Sequence, residues 1–205
     1  MANDPETAAE TRGLDLSEAA VQRLKTLIAT TPGPPVAGIQ IRIVRRTTAG
    51  FEHQLVMVDE GREPKGDPNF EVDGLSMYVE ESNAEYLLGT AIDYENRGEG
   101  VNGFDFKNPN PLWHNPVAMR IQELFDSSIN PSIASHGGYV DLLGVEGKIA
   151  YVGLGGGCQG CGMADVTLKQ GIAVAIKDFV PEIEQVIDET DHDSGENPFY
   201  QPAKK

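Results

Sequence analysis

Two prolines within five residues, in Lys107-Asn108-Pro109-Asn110-Pro111, constrain this chain more than any other segment. Proline fixes φ, has no N–H to donate and pushes the preceding residue out of the helical region, so neither a helix nor a central strand runs through such a stretch. The break falls near the middle of 205 residues. Each side has about the length of one small domain. The expected architecture is α+β, in two small domains: a polar leader over 1–13, a β-rich domain over 14–108, a linker over 109–115, a second domain over 116–188, and a polar tail over 189–205.

The two sides carry different patterns. On the first, Ser17 precedes a helical apolar period in Val21, Leu24, Leu27 and Ile28, which Thr30-Thr31-Pro32-Gly33-Pro34-Pro35 ends. Strand alternation follows in Ile39, Ile41 and Ile43, and further strands are expected over 51–58, 70–73, 75–79, 91–95 and 103–106. Ser82-Asn83-Ala84-Glu85 fits a capping box opening a short helix through Leu88. On the second side Asn115 and Pro116 read as an N-cap and first-turn pair. The helix they open turns Val117, Ile121, Leu124, Phe125 and Ile129 inward and is expected to end at Asn130-Pro131. Strands over 139–145 and 148–154 form a hairpin around Glu146-Gly147. A final helix over 163–180 presents Val166, Ile172, Ile176 and Phe179 as its apolar face.

Charge and hydropathy remove whole classes of function. The chain holds 32 acidic and 16 basic residues, net −16. Such a chain is repelled at long range by nucleic acid and by an anionic membrane. The only basic pairs are Arg45-Arg46 and Lys204-Lys205. No stretch approaches the roughly 18 apolar residues of a membrane span. The acidic, apolar-poor start resembles neither a secretory signal nor a transit peptide. The expected location is cytoplasmic.

Against that background the two cysteines stand out. Cys158 and Cys161 form a single CxxC inside Gly155-Gly156-Gly157-Cys158-Gln159-Gly160-Cys161-Gly162, between a strand pattern and a helix pattern. A thiolate at a helix start is favoured by the positive end of the helix dipole. The surrounding glycines let the backbone approach a bulky inorganic centre and turn N–H groups toward sulfur. In a cytosolic chain a structural disulfide is disfavoured. The motif can therefore serve a metal or cluster, a redox dithiol, or nothing at all. Ligand number adds a constraint. An iron–sulfur cluster ordinarily takes four cysteine thiolates, and a structural zinc takes four ligands. One chain offers two thiolates, so an all-thiolate centre needs two chains and sits between them. A centre held that way lies near the surface and is labile, which suits a carrier. The dithiol reading is weakened by glycines where a thioredoxin-like site has an aromatic residue and a proline, and by the missing βαβ pattern.

The residues from His136 to Asp188 resemble the Nfu domain of iron–sulfur cluster carriers. The Gly-Gly-Tyr-Val element, the Gly-Gly-Cys-x-x-Cys core, the Thr-Leu-Lys-Gln-Gly-Ile helix and the Pro-Glu-Ile-x-x-Val ending match in order and spacing. The first domain is similar to A-type (HesB-like) cluster scaffolds in its Gly-Ile-Gln-Ile-Arg-Ile strand, Ala49-Gly50-Phe51, Val-Asp-Gly-Leu-Ser-Met-Tyr-Val and Gly-Phe-Asp-Phe-Lys-Asn-Pro-Asn-Pro. It departs from them at the ligands: Thr48 stands where that family has its first cysteine, and 112–115 contains none. A degenerate A-type domain joined to an Nfu domain is the architecture of bacterial two-domain Nfu carriers. The resemblance implies a homodimer holding one [4Fe–4S] cluster through Cys158 and Cys161 of each chain. It implies receipt of the cluster from upstream scaffolds and its transfer to apo iron–sulfur proteins, with roles in maturation and in repair under oxidative stress or iron limitation. Transfer by exchange of client thiolates for carrier thiolates requires no covalent substrate chemistry, so no enzymatic activity is expected.

Other residues of reactive type are read as structural. His136 before Gly137-Gly138 is a candidate ligand, read as satisfying a turn or strand end; His53 and His114 lie in or beside the cysteine-less domain, with no second soft ligand nearby in sequence. Asp165 is a first-turn acid; Lys169 is a solvated helix position, with a counter-charge to a bound cluster as its alternative; and Met163 is a packing residue, since a thioether is a poor cluster ligand beside thiolates. Asp15, Glu52 and Glu80-Glu81 make no catalytic carboxylate pair. The chain has no Walker A sequence, no Ser-His-Asp order and no dinucleotide-binding fingerprint.

Overall fold

The computed structural model describes residues 13–96, 102–156 and 164–190, with the side chains of 96, 136 and 164–169 excepted. It divides into two units. One comprises 1–44 and 51–111, the other 45–50 and 112–205.

In the first unit β1 (Asp15–Leu16) leads into α1 (Glu18–Thr30). Ser17 caps α1 as expected, its hydroxyl accepting from the Ala20 N–H at 3.2 Å. β2 (Val36–Thr47) and β3 (Gly50–Asp59) follow, then β4 (Asn69–Val72) and β5 (Leu75–Val79), in one sheet of order β3-β2-β5-β4. β4 and β5 join at Asp73-Gly74, both at positive φ (51° and 74°), as a two-residue hairpin of the primed type requires. A short helix, α2 (Ala84–Leu87), connects to β6 (Ala91–Asn96) and β7 (Asn102–Lys107), which with β1 form a second sheet of order β1-β6-β7. The capping box is absent. Neither Ser82 nor Asn83 caps a helical N–H; α2 grows from a 3₁₀ turn over Glu81–Asn83, and Asn83 Nδ2 instead donates to the Glu80 carboxylate. Leu24, Ile39, Ile41, Met77, Val79, Leu87 and Ile92 fill the core between α1 and the sheets.

The Asn-Pro-Asn-Pro run closes this unit by hydrogen bonds. Asn108 Oδ1 accepts from the Asn110 N–H at 2.9 Å, an Asx turn. The Asn110 amide donates to the Tyr86 and Leu88 carbonyls at 3.0 and 2.9 Å.

The second unit opens with α3 (Pro116–Leu124), whose cap is the expected Asn115, accepting from the Val117 N–H at 2.9 Å. The helix does not stop at Asn130-Pro131. It widens into a π-turn over Phe125–Ile129, continues as α4 (Asn130–Ile133) and ends in a 3₁₀ turn over Ala134–His136. The Asn130 N–H bonds the Phe125 carbonyl, five residues back. Pro131 then enters within the first turn of α4, where a missing N–H costs least. β8 (Gly138–Glu146) and β9 (Ile149–Gly156) form the expected hairpin, with an extra residue at Leu143. α5 (Ala164–Phe179) packs Ile172 and Ile176 inward together with Val180 just beyond its end, whereas Phe179 is 49% exposed. Val166 falls among the undescribed side chains. A strand absent from the sequence reading, β10 (Gln185–Asp188), pairs parallel with β9 and completes the order β10-β9-β8. The core is α3, Phe125, Ile129 and Ile133 against Val140, Leu142, Ala150, Val152 and Leu154, with α5 closing it. The mixed helix and strand content is α+β in both units. Among the described residues no helix is long and apolar enough to cross a membrane.

Candidate functional site

Cys158 and Cys161 occupy 157–163, between the last residue of β9 and the first of α5, and lie outside the described residues, as do the polar leader over 1–12, Met163 and the tail beyond 190. The described residues supply the platform from which that segment departs. β8 and β9 end together: Gly138 stands opposite Gly156, and Tyr139 opposite Gly155. Three of these four positions carry no side chain. Gly156 has φ +60°, and a Cβ there would sit 2.3 Å from the Gly137 carbonyl oxygen. A Cβ at Gly155 would sit 2.2 Å from Cζ of Tyr139. Glycine is thus required at Gly156, by its positive φ and by the Gly137 backbone, whereas at Gly155 the atoms in the way are the far end of the Tyr139 side chain.

Both edges of this platform are fixed. On the β8 side, the Asn130 side chain pairs with the Val140 backbone in both directions: its Nδ2 donates to the Val140 carbonyl at 3.0 Å and its Oδ1 accepts the Val140 N–H at 2.8 Å. On the β9 side, the Thr190 hydroxyl accepts the Leu154 N–H at 2.7 Å and donates to Asp188. Two residues past Leu154 the described chain gives way to the cysteine segment.

The remaining candidates separate. His53, in the first unit, stacks on Phe106 (centroids 4.7 Å apart, planes at 14°), and its Nε2 lies 3.1 Å from Asn108 Nδ2. That amide nitrogen also donates to the Tyr86 carbonyl at 2.7 Å, which orients it as a donor. Nε2 therefore accepts and the imidazole is neutral, with its proton on Nδ1. Burial lowers the His53 pKa from 6.5, in keeping with that state. His114 is exposed, and the side chains of His136, Asp165 and Lys169 are not among those described. Asp93 accepts from Ser17 Oγ and from the Tyr94 N–H, and these bonds, Ser17 first, lower its pKa; they tie β6 to the start of α1. Among the described residues no three His, Cys, Asp or Glu side chains come together as a metal site. The residues that sequence reasoning missed are Tyr139, Asn130 and Thr190, which hold the platform. The signal available for Tyr139 was its place in Gly-Gly-Tyr-Val, but the glycine it covers is sixteen residues away in sequence.

A family model described as iron-sulphur cluster biosynthesis matches residues 13–119, and one described as a NifU-like domain matches 121–187. Together they define a two-domain protein of iron–sulfur cluster biogenesis. The Fe/S biogenesis protein NfuA of Pseudomonas aeruginosa is 33% identical over 192 residues, 91% of this chain and 98% of that protein. NfuA of Stenotrophomonas maltophilia is 32% identical over 91% of this chain and 96% of that protein. The chain belongs to the NfuA family of Fe/S biogenesis proteins. Among solved structures, Escherichia coli SufA, involved in biosynthesis of iron–sulfur clusters, matches at 30% identity with a TM-score of 0.41, covering 48% of this chain and 88% of SufA.

Proposed function

We propose that this chain carries one [4Fe–4S] cluster between two copies of itself, held by Cys158 and Cys161 of each, and donates it to apo iron–sulfur proteins. The observation that carries the proposal is the ligand shortfall: the whole chain holds two cysteines, in one CxxC inside a NifU-like domain, and a thiolate-bound cluster takes about four. The resemblance to two-domain Nfu carriers favours the four-iron form. Transfer proceeds by ligand exchange. A client thiolate displaces a carrier thiolate at one iron, the released cysteine leaves as thiolate or takes up a proton, and the exchange repeats until the cargo has changed hands. No substrate bond is made or broken elsewhere, so the protein acts as a carrier and not as an enzyme. The first domain, with Thr48 and 112–115 in place of the A-type cysteines, engages clients and upstream scaffolds without holding a cluster. The setting is the cytoplasm, and the role is maturation of iron–sulfur proteins and their repair under oxidative stress or iron limitation.

The test is anaerobic reconstitution of the full chain with iron and sulfide, followed by iron and sulfide counting and mass measurement in solution. The expected product is a brown dimer with one cluster per two chains; Cys158→Ser or Cys161→Ser abolishes it. A fully loaded monomer, a colourless zinc-bound dimer, or a reversible intramolecular disulfide with no iron uptake overturns the proposal.

A further inference from the structure

We propose that the outer face of the β8-β9-β10 sheet is a docking surface for a partner protein, and that it takes an arginine of the partner over the Tyr151 ring, between Glu146 and Glu189, with an apolar neighbour of that arginine against Leu143. The face lies wholly within the second unit. Its use goes beyond the carrier reading and does not rest on it.

Side chains alternate along these strands. Val140, Leu142, Ala150, Val152 and Leu154 point into the core, where α3, α4 and α5 pack. The intervening residues face the other way, and none of those helices covers them. A sheet face turned to water is ordinarily polar. This one has an apolar centre. Leu143 is 50% exposed and lies over Gly153, 3.5 Å from the place a Cβ would take. Tyr151 stands opposite Gly144 on one side and Ile187 on the other, and both Tyr151 and Ile187 are half-buried. An uncovered apolar and aromatic centre with a charged rim has the anatomy of a protein interface.

The rim selects the partner. The Tyr151 hydroxyl donates to the Glu146 carboxylate at 3.4 Å. The Glu189 N–H donates to the Val152 carbonyl at 2.9 Å and extends the β10 ladder by one residue, so alternation puts Glu189 on the face of Ile187. Partial loss of water, then the Glu146 charge and hydrogen bond, then the Glu189 charge raise the Tyr151 pKa. Among the described residues neither carboxylate has a cation, and the nearby Lys148 is taken by Glu184. The same face shows elsewhere what such a group of residues holds. Arg45, of this same unit, lies over the Tyr139 ring at 4.0 Å and pairs with Asp141 at 3.4 Å. A flat, weakly hydrated guanidinium suits a tyrosine face and a carboxylate together. At Tyr151 the ring and two carboxylates await one among the described residues. A second copy is the wrong occupant, since it brings net −16 and the same two carboxylates. Nucleic acid is repelled by the same charge.

The test is an NMR titration of the isotope-labelled full chain, metal-free and reduced, with the synthetic peptide Gly-Ser-Leu-Arg-Leu-Ser-Gly. Saturable shifts are expected at Leu143, Tyr151 and Ile187. Citrulline in place of the arginine keeps the shape without the charge, and should weaken binding about tenfold, equivalent to ~1.4 kcal/mol. Glu146→Gln combined with Glu189→Gln should abolish that preference for arginine, and so should Tyr151→Leu. Leu143→Ser should weaken both peptides alike. Added sodium chloride should weaken the arginine peptide more than its citrulline counterpart. Circular dichroism and Trp113 fluorescence verify folding, and the comparison of the two peptides on the native chain needs no variant. No binding at millimolar peptide, equal binding of both peptides, saturable shifts elsewhere on the chain, or an arginine preference that survives in the folded Glu146→Gln, Glu189→Gln chain overturns the inference. So do resonances from beyond residue 190 that move with the face as peptide is added, which would make the chain's own end the occupant. Shifts at the face on concentrating the protein alone overturn it as well, since they would make a second copy the occupant.

Discussion

At the scale of single residues, His53 is a buried polar group whose bonding fixes its protonation. Its Nε2 accepts from Asn108, which also holds the Tyr86 carbonyl, and burial lowers its pKa from 6.5. The unfolded chain therefore takes up the proton first as pH falls. His53 costs the fold nothing above pH 6.5; its penalty grows below that value and is complete once the folded-state pKa is passed. Between pH 7.5 and 5 the native chain should lose more stability than His53→Gln, whose side-chain oxygen can accept from Asn108 without titrating. Far-UV circular dichroism melts across that range measure this, with Trp113 fluorescence reporting the second unit separately, since Trp113 is the only tryptophan and packs on the second core. Equal pH slopes in the two proteins would remove His53 from the account. Gly156 gives a second prediction at this scale. Alanine there meets a left-handed conformation, a cost of about 1–2 kcal/mol, and a carbonyl oxygen 2.3 Å from its Cβ. Gly156→Ala should lower the urea midpoint of Trp113 fluorescence by more than backbone conformation alone explains.

At the scale of elements, the second unit depends on a helix that its sequence appears to cut short. Asn130-Pro131 reads as a terminator because proline removes an N–H. The π-turn over Phe125–Ile129 shifts the bonding by one residue, so that Asn130 closes the wide turn and Pro131 lies at a new start. The same shift brings the Asn130 side chain to Val140. Asn130→Ala should cost the second unit about 2–3 kcal/mol, two lost side-chain bonds of roughly 1 kcal/mol each and a buried, unpaired Val140 N–H. Asn130→Asp, which keeps only the acceptor, should fall between, both read by urea unfolding of Trp113 fluorescence. A change below ~0.5 kcal/mol for the alanine variant would show that water replaces the clip. This element also marks what a sequence can disclose. The caps Ser17 and Asn115, the alternation in β2 and the Glu146-Gly147 turn depend on neighbours in sequence and were legible there. The π-turn, the two-residue β1 and the parallel β10 are stabilised by partners far along the chain, and Val186-Ile187 alone has no period to read. Phe179 lies at the correct angle on α5, but an angle does not tell whether anything packs beneath a helix end. The site divides in the same way. The CxxC and its glycines are a local motif, whereas the ring that covers Gly155 arrives through register.

At the scale of the whole molecule, charge bears on the proposed pairing of two copies. Each chain carries net −16, and the proposed cargo needs two chains side by side, with the cluster and its thiolates adding negative charge of their own. Association therefore works against long-range repulsion, with contact and coordination supplying the attraction. Salt weakens only the repulsive part. The screening length shrinks from about 30 Å at 0.01 M to about 8 Å at 0.15 M ionic strength. The loaded dimer should accordingly form faster and dissociate less readily as sodium chloride is raised across that range. Cluster yield per chain should rise with it under otherwise fixed reconstitution conditions. The opposite trend is expected where the partner carries a basic docking face, since attraction is then what the salt screens. Measuring dimer fraction and transfer rate over the same salt series thus separates self-association from client engagement. A loaded dimer that weakens with added salt would mean that the copies meet through complementary charge instead, and would place acidic and basic residues of the two chains in contact around the cluster.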